Sequence, residues 1–294
     1  MSRIIERNPS KFDWVAPVSG LGHLKMNQLK TFFSICDKIL LEPLGKLILG
    51  HDTDLSYNYF ISCKDNHKAW QAFQVLLHGT VMEFFHLFES ENPDVPLTPI
   101  SFLSWQSDLN NATYRMLLEL FLNFGLAAYC QRVGDRFNSI HCSMAGRQKF
   151  SDLFYAFRHP LYQEVEYREL RSYVTFPEPV KEVRDRNVTF ATSNLNDKCQ
   201  GGDFLLEQKI RRQKMLCPKG NPDEKVWEKV SGAVDDVDEI LENSGPLSDI
   251  LEKDRKRIIN LTEEIMSWRC YLRESQYLIT VSDTHLTLPT ILLV

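Results

Sequence analysis

Apolar residues recur every three to four positions along most of the chain, and this spacing predicts a mainly α-helical protein. The clearest stripe begins at Trp70 and continues for about five turns behind Asp65, a residue type that caps helices. Another helix is predicted to start at Asn110 or Asn111, and Pro160 suits the first turn of its helix because a missing N–H is tolerated there. Further helices are predicted at about 23–41, 143–157, 203–216, 223–242 and 247–274.

Two short segments, 12–18 and 188–192, are the strand candidates, and they lie about 170 residues apart. A lone pair of short strands is marginally stable in water. We therefore expect either that these segments are not strands or that they belong to a larger sheet. Before the second candidate, Pro177 and Pro179 break the helical pattern. After it, 194–202 is predicted to be a mobile polar loop.

These patterns divide the chain into five predicted segments. They are a leader with a strand over 1–22, a helical domain over 23–186, a strand, loop and basic helix over 187–245, an amphipathic helix over 246–280, and a tail over 281–294. The tail continues no helical pattern and resembles translated adapter sequence. We interpret it as adapter-derived or disordered, outside the fold.

Composition narrows the protein class without identifying a function. A chain of 294 residues with 43% hydrophobic and 25% charged residues is typical of a globular protein and excludes a wholly disordered one. A net charge of -5 means that any nucleic-acid contact needs a local basic patch. Seven dispersed cysteines, no CxxC pair and no apolar leader predict an intracellular protein, nuclear or cytoplasmic and not secreted, with no membrane partner.

The strongest local chemistry lies in the predicted helix 203–216. Asp203 follows a pair of glycines, and Glu207 comes one turn later on the same side; four cations then follow, Lys209, Arg211, Arg212 and Lys214. Carboxylates can hold Mg²⁺ and the cations can bind a phosphate backbone, a combination that suits metal-dependent phosphoryl transfer. The helix dipole favours the same order of charges on an ordinary solvated helix.

Eight short segments follow one another in order over about 12–240. They are Trp14–Val18, Gly22–Asn27, Asn66–Lys68, Asn111–Tyr114, Lys149–Phe154, His159–Gln163, Gly201–Phe204 with Glu207, and Lys219–Pro222 before Trp227. This ordered set resembles a transposon-derived, transposase-like family of unknown function that is found in many copies in invertebrate and fungal genomes.

The resemblance implies a ribonuclease-H-like core, in which three carboxylates hold two divalent metals for attack on a phosphodiester. It implies that 12–18 is a late core strand and 23–186 a helical insertion. It also makes Glu207 the final catalytic glutamate and a metal ligand beside Asp203, with Mg²⁺ as cofactor and DNA as substrate. In such cores the first two carboxylates come from earlier strands, and this sequence starts at the late strand.

We therefore expect a fragment or decayed copy of a transposase-like protein, without activity as this chain alone. The alternative is a non-catalytic helical domain that binds nucleic acid, or that binds protein through 246–280. A metabolic enzyme with a pocket ringed by His23, His67 and His159 is a third interpretation.

Plasmid cleavage tests the expected inactivity. We expect purified chain to leave supercoiled plasmid intact with Mg²⁺ or Mn²⁺, because two metals need more than two carboxylates. Nicking by the purified chain that disappears in Glu207→Gln would contradict this expectation.

Overall fold

The computed structural model describes residues 7, 11, 19–109, 111–157, 159–191, 199–217, 223–230 and 260–275. Most of these residues are helical, which confirms the predicted mainly α fold. The described residues form two compact units, one from those up to Gln200 together with those from Leu261 on, the other from those within Gly201–Asn260. No helix in these ranges is long and apolar enough to cross a bilayer.

Nine α-helices and a strand precede residue 192 in the described chain, and a π-helical turn over Leu120–Gly125 joins the fifth helix to the sixth. They are α1 (Leu21–Cys36), α2 (Asp54–Ile61), α3 (Asn66–Glu91), α4 (Pro99–Asp108), α5 (Ala112–Glu119), α6 (Leu126–Arg136), α7 (Ile140–Ala156), α8 (Pro160–Thr175), α9 (Glu178–Asn187) and β1 (Thr189–Ala191). Then come β2 (Cys199–Gly201), α10 (Gly202–Leu216), a helical stretch over 224–230, and α11 (Thr262–Glu274).

Side-chain caps explain where several helices begin. The Asp65 carboxylate accepts a hydrogen bond from the Lys68 N–H at 3.1 Å at the start of α3. The Asn111 side chain accepts from the Tyr114 N–H at 3.0 Å at the start of α5. Pro160 occupies the first turn of α8. All three helix starts were predicted from residue type and are confirmed.

The first predicted helix extends beyond residue 41. After α1 the chain continues through the π-helical turns Asp37–Leu41 and Leu44–Ile48, and the Leu49 N–H donates to the Leu44 carbonyl at 3.0 Å. Pro43, which has no N–H to donate, lies between these turns. A wider turn on either side lets the chain stay helical past a residue that would otherwise break the hydrogen-bond ladder.

Some elements lie where the apolar pattern is weak. The short helices α2 and α4 were not predicted, and α4 begins at Pro99 behind a reciprocal cap between Thr98 and Ser101. Pro177 and Pro179 follow α8, as predicted, but they also open α9, because proline is tolerated in a first turn. The expected break is a junction between two helices.

The observed sheet is local and has two strands in the described part of the chain. Strand β1 lies inside the predicted segment 188–192, and its partner is β2. The expectation of a mobile loop over 194–202 was therefore wrong for Cys199–Gly201, where backbone pairing orders a polar segment. The other strand candidate, 12–18, lies outside the described residues, and the ribonuclease-H-like core stays a prediction.

The core of the larger unit is built on aromatic rings around α3. Phe73 on α3 meets Phe32 on α1 edge to face, with ring centroids 5.2 Å apart, and Phe32 meets Phe121 at 5.4 Å. Trp70 packs edge-on against Phe73 at 5.1 Å. All four rings are essentially inaccessible to solvent, so they contribute both apolar burial and ring-to-ring attraction.

Helix α11 packs along α3, about 190 residues away in sequence. The Trp268 side chain is fully buried, and its indole N–H donates to the Thr80 hydroxyl at 3.0 Å. The ring fits because residue 79 is glycine, where a Cβ would lie 2.6 Å from Trp268 Cδ1. The alternative interpretation assigns the C-terminal amphipathic helix to a partner protein. In the structure, this helix buries Trp268 and Leu272 in the protein's own core.

Candidate functional site

All six predicted site residues lie in α10. At 100° per residue, an α-helix places Asp203, Glu207, Arg211 and Lys214 on one face and Lys209 and Arg212 on the opposite side. The first group is therefore a single stripe with its carboxylates towards the start of the helix and its cations towards the end. The four predicted cations do not share one face.

The stripe is open to solvent over most of its length. Asp203 is half-buried, whereas Glu207, Arg211 and Lys214 are exposed. The structure describes the backbone of Lys209 and Arg212 but not their side chains. Acid in the first half of a helix and base in the second half complements the helix dipole, so the order of charges also favours the helix itself.

The two carboxylates of α10 do not by themselves fit the Mg²⁺ site that the resemblance implies. A two-metal site is held by several acidic ligands that converge on ions about 4 Å apart. Asp203 and Glu207 are one helical turn apart, and no group of three or more His, Cys, Asp or Glu side chains that could hold a metal occurs within the described ranges. These two carboxylates therefore support no metal-dependent step on their own.

The histidines of the third interpretation are near helix ends. His159 precedes α8, and its ring lies 6.2 Å from that of Tyr162, whose hydroxyl accepts a hydrogen bond from Asn27 at 2.7 Å. Asn27 also donates to the His23 carbonyl at 2.8 Å. His67 is an exposed residue in the first turn of α3. His23 is exposed near the start of α1, whereas the His159 ring packs against the rings of Phe154 and Tyr162.

A buried charge network is the most unusual polar feature of the described chain. The Arg147 side chain on α7 is fully buried and binds two carboxylates of α8. It donates to Glu166 at 2.7 and 2.8 Å and to Glu169 at 2.7 and 3.0 Å. The Arg184 guanidinium on α9 also binds Glu169, and the Ser19 hydroxyl bridges Arg147 and Glu169.

A second ion pair lies beside this network. The Lys25 ammonium on α1 is 2.9 Å from the carboxylate of Asp135 on α6, and the Ser143 hydroxyl donates to the same carboxylate at 2.5 Å. Together the two sets contain three cations and three carboxylates. The charges therefore balance within the protein interior, as buried charges must unless they are neutralised.

Position in the network moves the pKa of its two glutamates in opposite directions. Burial raises the pKa of Glu166, and the opposing attraction of Arg147 does not fully offset this. Burial also acts against ionisation of Glu169, but hydrogen bonds from Arg147 and Ser19 and the charge of Arg184 lower its pKa to about 2. Glu169 is therefore the carboxylate that the network stabilises as an anion.

The sequence pattern does not reveal the residues of the charge network, for a physical reason. Glu166 and Glu169 are three positions apart, which places both on one side of α8, but the same spacing occurs on many solvated helices. Only the packing of α7 and α9 against that side brings Arg147 and Arg184 to them. Because all four side chains are buried and bound to one another, the network positions helices and does not present a reactive group to a substrate.

Comparison of the chain with protein-family models, curated proteins and solved structures found no match.

The network predicts unequal effects of removing its two negative charges. We expect Glu169→Gln to lower the free energy of unfolding at pH 7 by about 3 kcal/mol, since its pKa of about 2 lies well below the ordinary value near 4.3. That stabilisation is present above pH about 4 and is lost as the pH falls towards 2, where Glu169 is protonated in the folded state. Glu166→Gln should cost less, because the raised pKa of Glu166 means that its charge opposes folding at neutral pH.

Urea unfolding followed by circular dichroism at pH 7 and pH 3 measures both effects. Glu182→Gln, which removes one partner of an exposed pair with Arg186, is the matched control and should change the stability by less than about 1 kcal/mol. A larger loss for Glu166→Gln than for Glu169→Gln at pH 7 would show that the network is not organised around Glu169.

Proposed function

We propose that this chain is a transposase-like protein that binds DNA through the exposed stripe of α10. In this proposal Glu207 is the final glutamate of a ribonuclease-H-like core, the helices over 23–186 are its insertion, and Asp203 is a second ligand for Mg²⁺. Strand transfer would then require carboxylates beyond these two. DNA binding is the part of the proposal that the geometry of α10 supports.

The supporting observation is that Arg211 and Lys214 are both exposed and lie one turn apart on the same face. Each can neutralise a backbone phosphate and release its counterions. Leu206 and Ile210, exposed by 59% and 37%, lie beside them and offer apolar contact to sugars and bases. Because the chain as a whole is acidic, binding depends on this local arrangement.

Salt dependence tests the proposal directly. We expect Arg211→Glu/Lys214→Glu to weaken binding to a labelled 30-base-pair duplex and to reduce the slope of log K against log salt by about 2, the value for losing two phosphate contacts. Fluorescence anisotropy between 50 and 200 mM NaCl gives the slope for each protein.

Lys64→Glu/Lys68→Glu is the matched control, because it makes the same change in net charge at two exposed positions four residues apart in sequence. It should leave the slope within experimental error of the original chain. If the two double variants lose the same affinity, the attraction is a general effect of net charge and α10 is not the DNA contact.

A specific observation supports a second candidate function, the binding of a peptide. A cleft of about 340 Å³ lies between the end of α3, α4 and the turn after α5. Its lining is almost wholly apolar: Phe85, Leu97, Thr98, Pro99, Phe102, Leu103 and Leu122. Ile100 and Leu103 stand out by 82% and 59% exposure, which is unusual for large apolar side chains on one short helix.

The charges of residues 84–126, the stretch that contains all the lining residues, indicate what kind of peptide would fit. They comprise one exposed arginine and five exposed carboxylates: Arg115 against Glu89, Glu91, Asp94, Asp108 and Glu119. A helical peptide with apolar residues on one side and lysine or arginine on the other complements both features. The proposed partner of this surface is therefore a basic amphipathic helix.

A pair of model peptides tests this second proposal. We expect a 14-residue amphipathic peptide of leucine and lysine to bind the chain. Its counterpart with glutamate in place of lysine should bind at least about tenfold more weakly, because its charges repel the exposed carboxylates of residues 84–126. Isothermal titration calorimetry measures both affinities.

Ile100→Ser/Leu103→Ser should abolish binding of the lysine peptide, whereas Leu47→Ser/Leu55→Ser, at two exposed leucines elsewhere, should not. Equal binding of the lysine peptide by both variants would exclude the cleft as its site.

A further inference from the structure

Two thiols meet at the surface where α6 packs against α7. Cys130 on α6 is exposed, and Cys142 on α7 is half-buried. The Cys142 thiol donates a hydrogen bond to the Cys130 carbonyl oxygen, and its sulfur lies 3.3 Å from that oxygen. The pair therefore combines close approach of Cys142 to residue 130 with access for a small reagent.

Glycines bring these helix backbones unusually close. A Cβ at Gly146 would lie 2.4 Å from the Ala127 carbonyl oxygen, and a Cβ at Gly134 would lie 2.4 Å from the Ser143 nitrogen. Real Cβ atoms do not approach backbone atoms this closely, so any larger residue would force α6 and α7 apart. A disulfide needs Cα atoms within about 7 Å, a separation that closely packed helix backbones allow.

We propose that Cys130 and Cys142 form a site of reversible oxidation, at which a hydroperoxide converts the two thiols into a disulfide that links α6 to α7. One thiol loses its proton, and the thiolate attacks the peroxide, breaks the O–O bond and becomes a sulfenic acid; the hydroxide released from hydrogen peroxide takes up that proton and leaves as water. The second thiol then loses its proton and attacks the sulfenic sulfur, the S–S bond forms as the S–O bond breaks, and the departing hydroxide takes up this second proton and leaves as water. Thiol–disulfide exchange with an added dithiol returns both cysteines to thiols.

The remaining described cysteines are poorly placed for this chemistry. Cys36, Cys63 and Cys199 are buried, and burial raises the pKa of Cys63 to about 12, which keeps it as an unreactive thiol. Cys270 is exposed on α11, which packs along α3, and half-buried Cys217 follows the end of α10, so neither thiol belongs to α6 or α7. Partial burial and the neighbouring Cys142 also raise the pKa of Cys130. The pair is therefore expected to be a dithiol until an oxidant is supplied.

Peptide mapping of the folded chain tests the proposal. The native protein is treated with hydrogen peroxide, its remaining thiols are blocked, and it is digested with trypsin, which cleaves after Arg132 and Arg136 between the two cysteines. We expect a disulfide-linked pair of peptides that contain Cys130 and Cys142, with a mass lower by two hydrogen atoms than the two reduced peptides together. The linkage should disappear on treatment with dithiothreitol.

Two comparisons make the result specific to the fold. Cys270→Ser should form the same cross-link at the same rate, and Cys130→Ser should form none at Cys142. The cross-link should form at least about tenfold faster in the native chain than in 8 M urea, since the helices hold the thiols together. Equal rates, a different pair of cysteines, or oxidation of each thiol separately without a cross-link would overturn the proposal.

Discussion

Arg147 lies at the centre of the buried charge network of the larger unit. Its guanidinium is buried away from water and donates hydrogen bonds to Glu166, Glu169 and Ser19. Removing a charge from water is costly, and only several simultaneous hydrogen bonds to opposite charges offset that cost. This requirement explains why α7, α8 and α9 must come together in one arrangement, and why Ser19, just before α1, is held beside them.

Further buried polar contacts join α1 to α6 beside this network, and together they form one polar seam. Lys25 and Asp135 form the next ion pair, and the Gln28 side chain donates to that of Gln131 at 2.6 Å. Apolar packing is tolerant of small shifts, whereas a seam of directed bonds is not. The aromatic core around α3 therefore supplies most of the buried apolar area, and the seam determines how the neighbouring helices are oriented.

The features proposed to be functional lie where these constraints are absent. The stripe of α10 and the cleft beside α4 expose cations or large apolar side chains that take no part in the buried seam. Cys130 and Cys142 lie beside the close backbone contact between α6 and α7, where one thiol is exposed and the other is half-buried. Residues inside the seam set the geometry, and residues outside it are available to ligands or reagents.

The sequence by itself determined the mainly helical class, several helix starts and the position of β1, because these depend on local spacing and on caps made within a few residues. It also determined which residues of α10 share a face, since that follows from helical periodicity. Only the tertiary structure decided the partner of β1, the burial of Trp268 against α3, the convergence of Arg147 with Glu166 and Glu169, and the meeting of Cys130 with Cys142. Each of these joins residues on different elements, and the spacing of residues along one helix carries no information about which other helix will cover it.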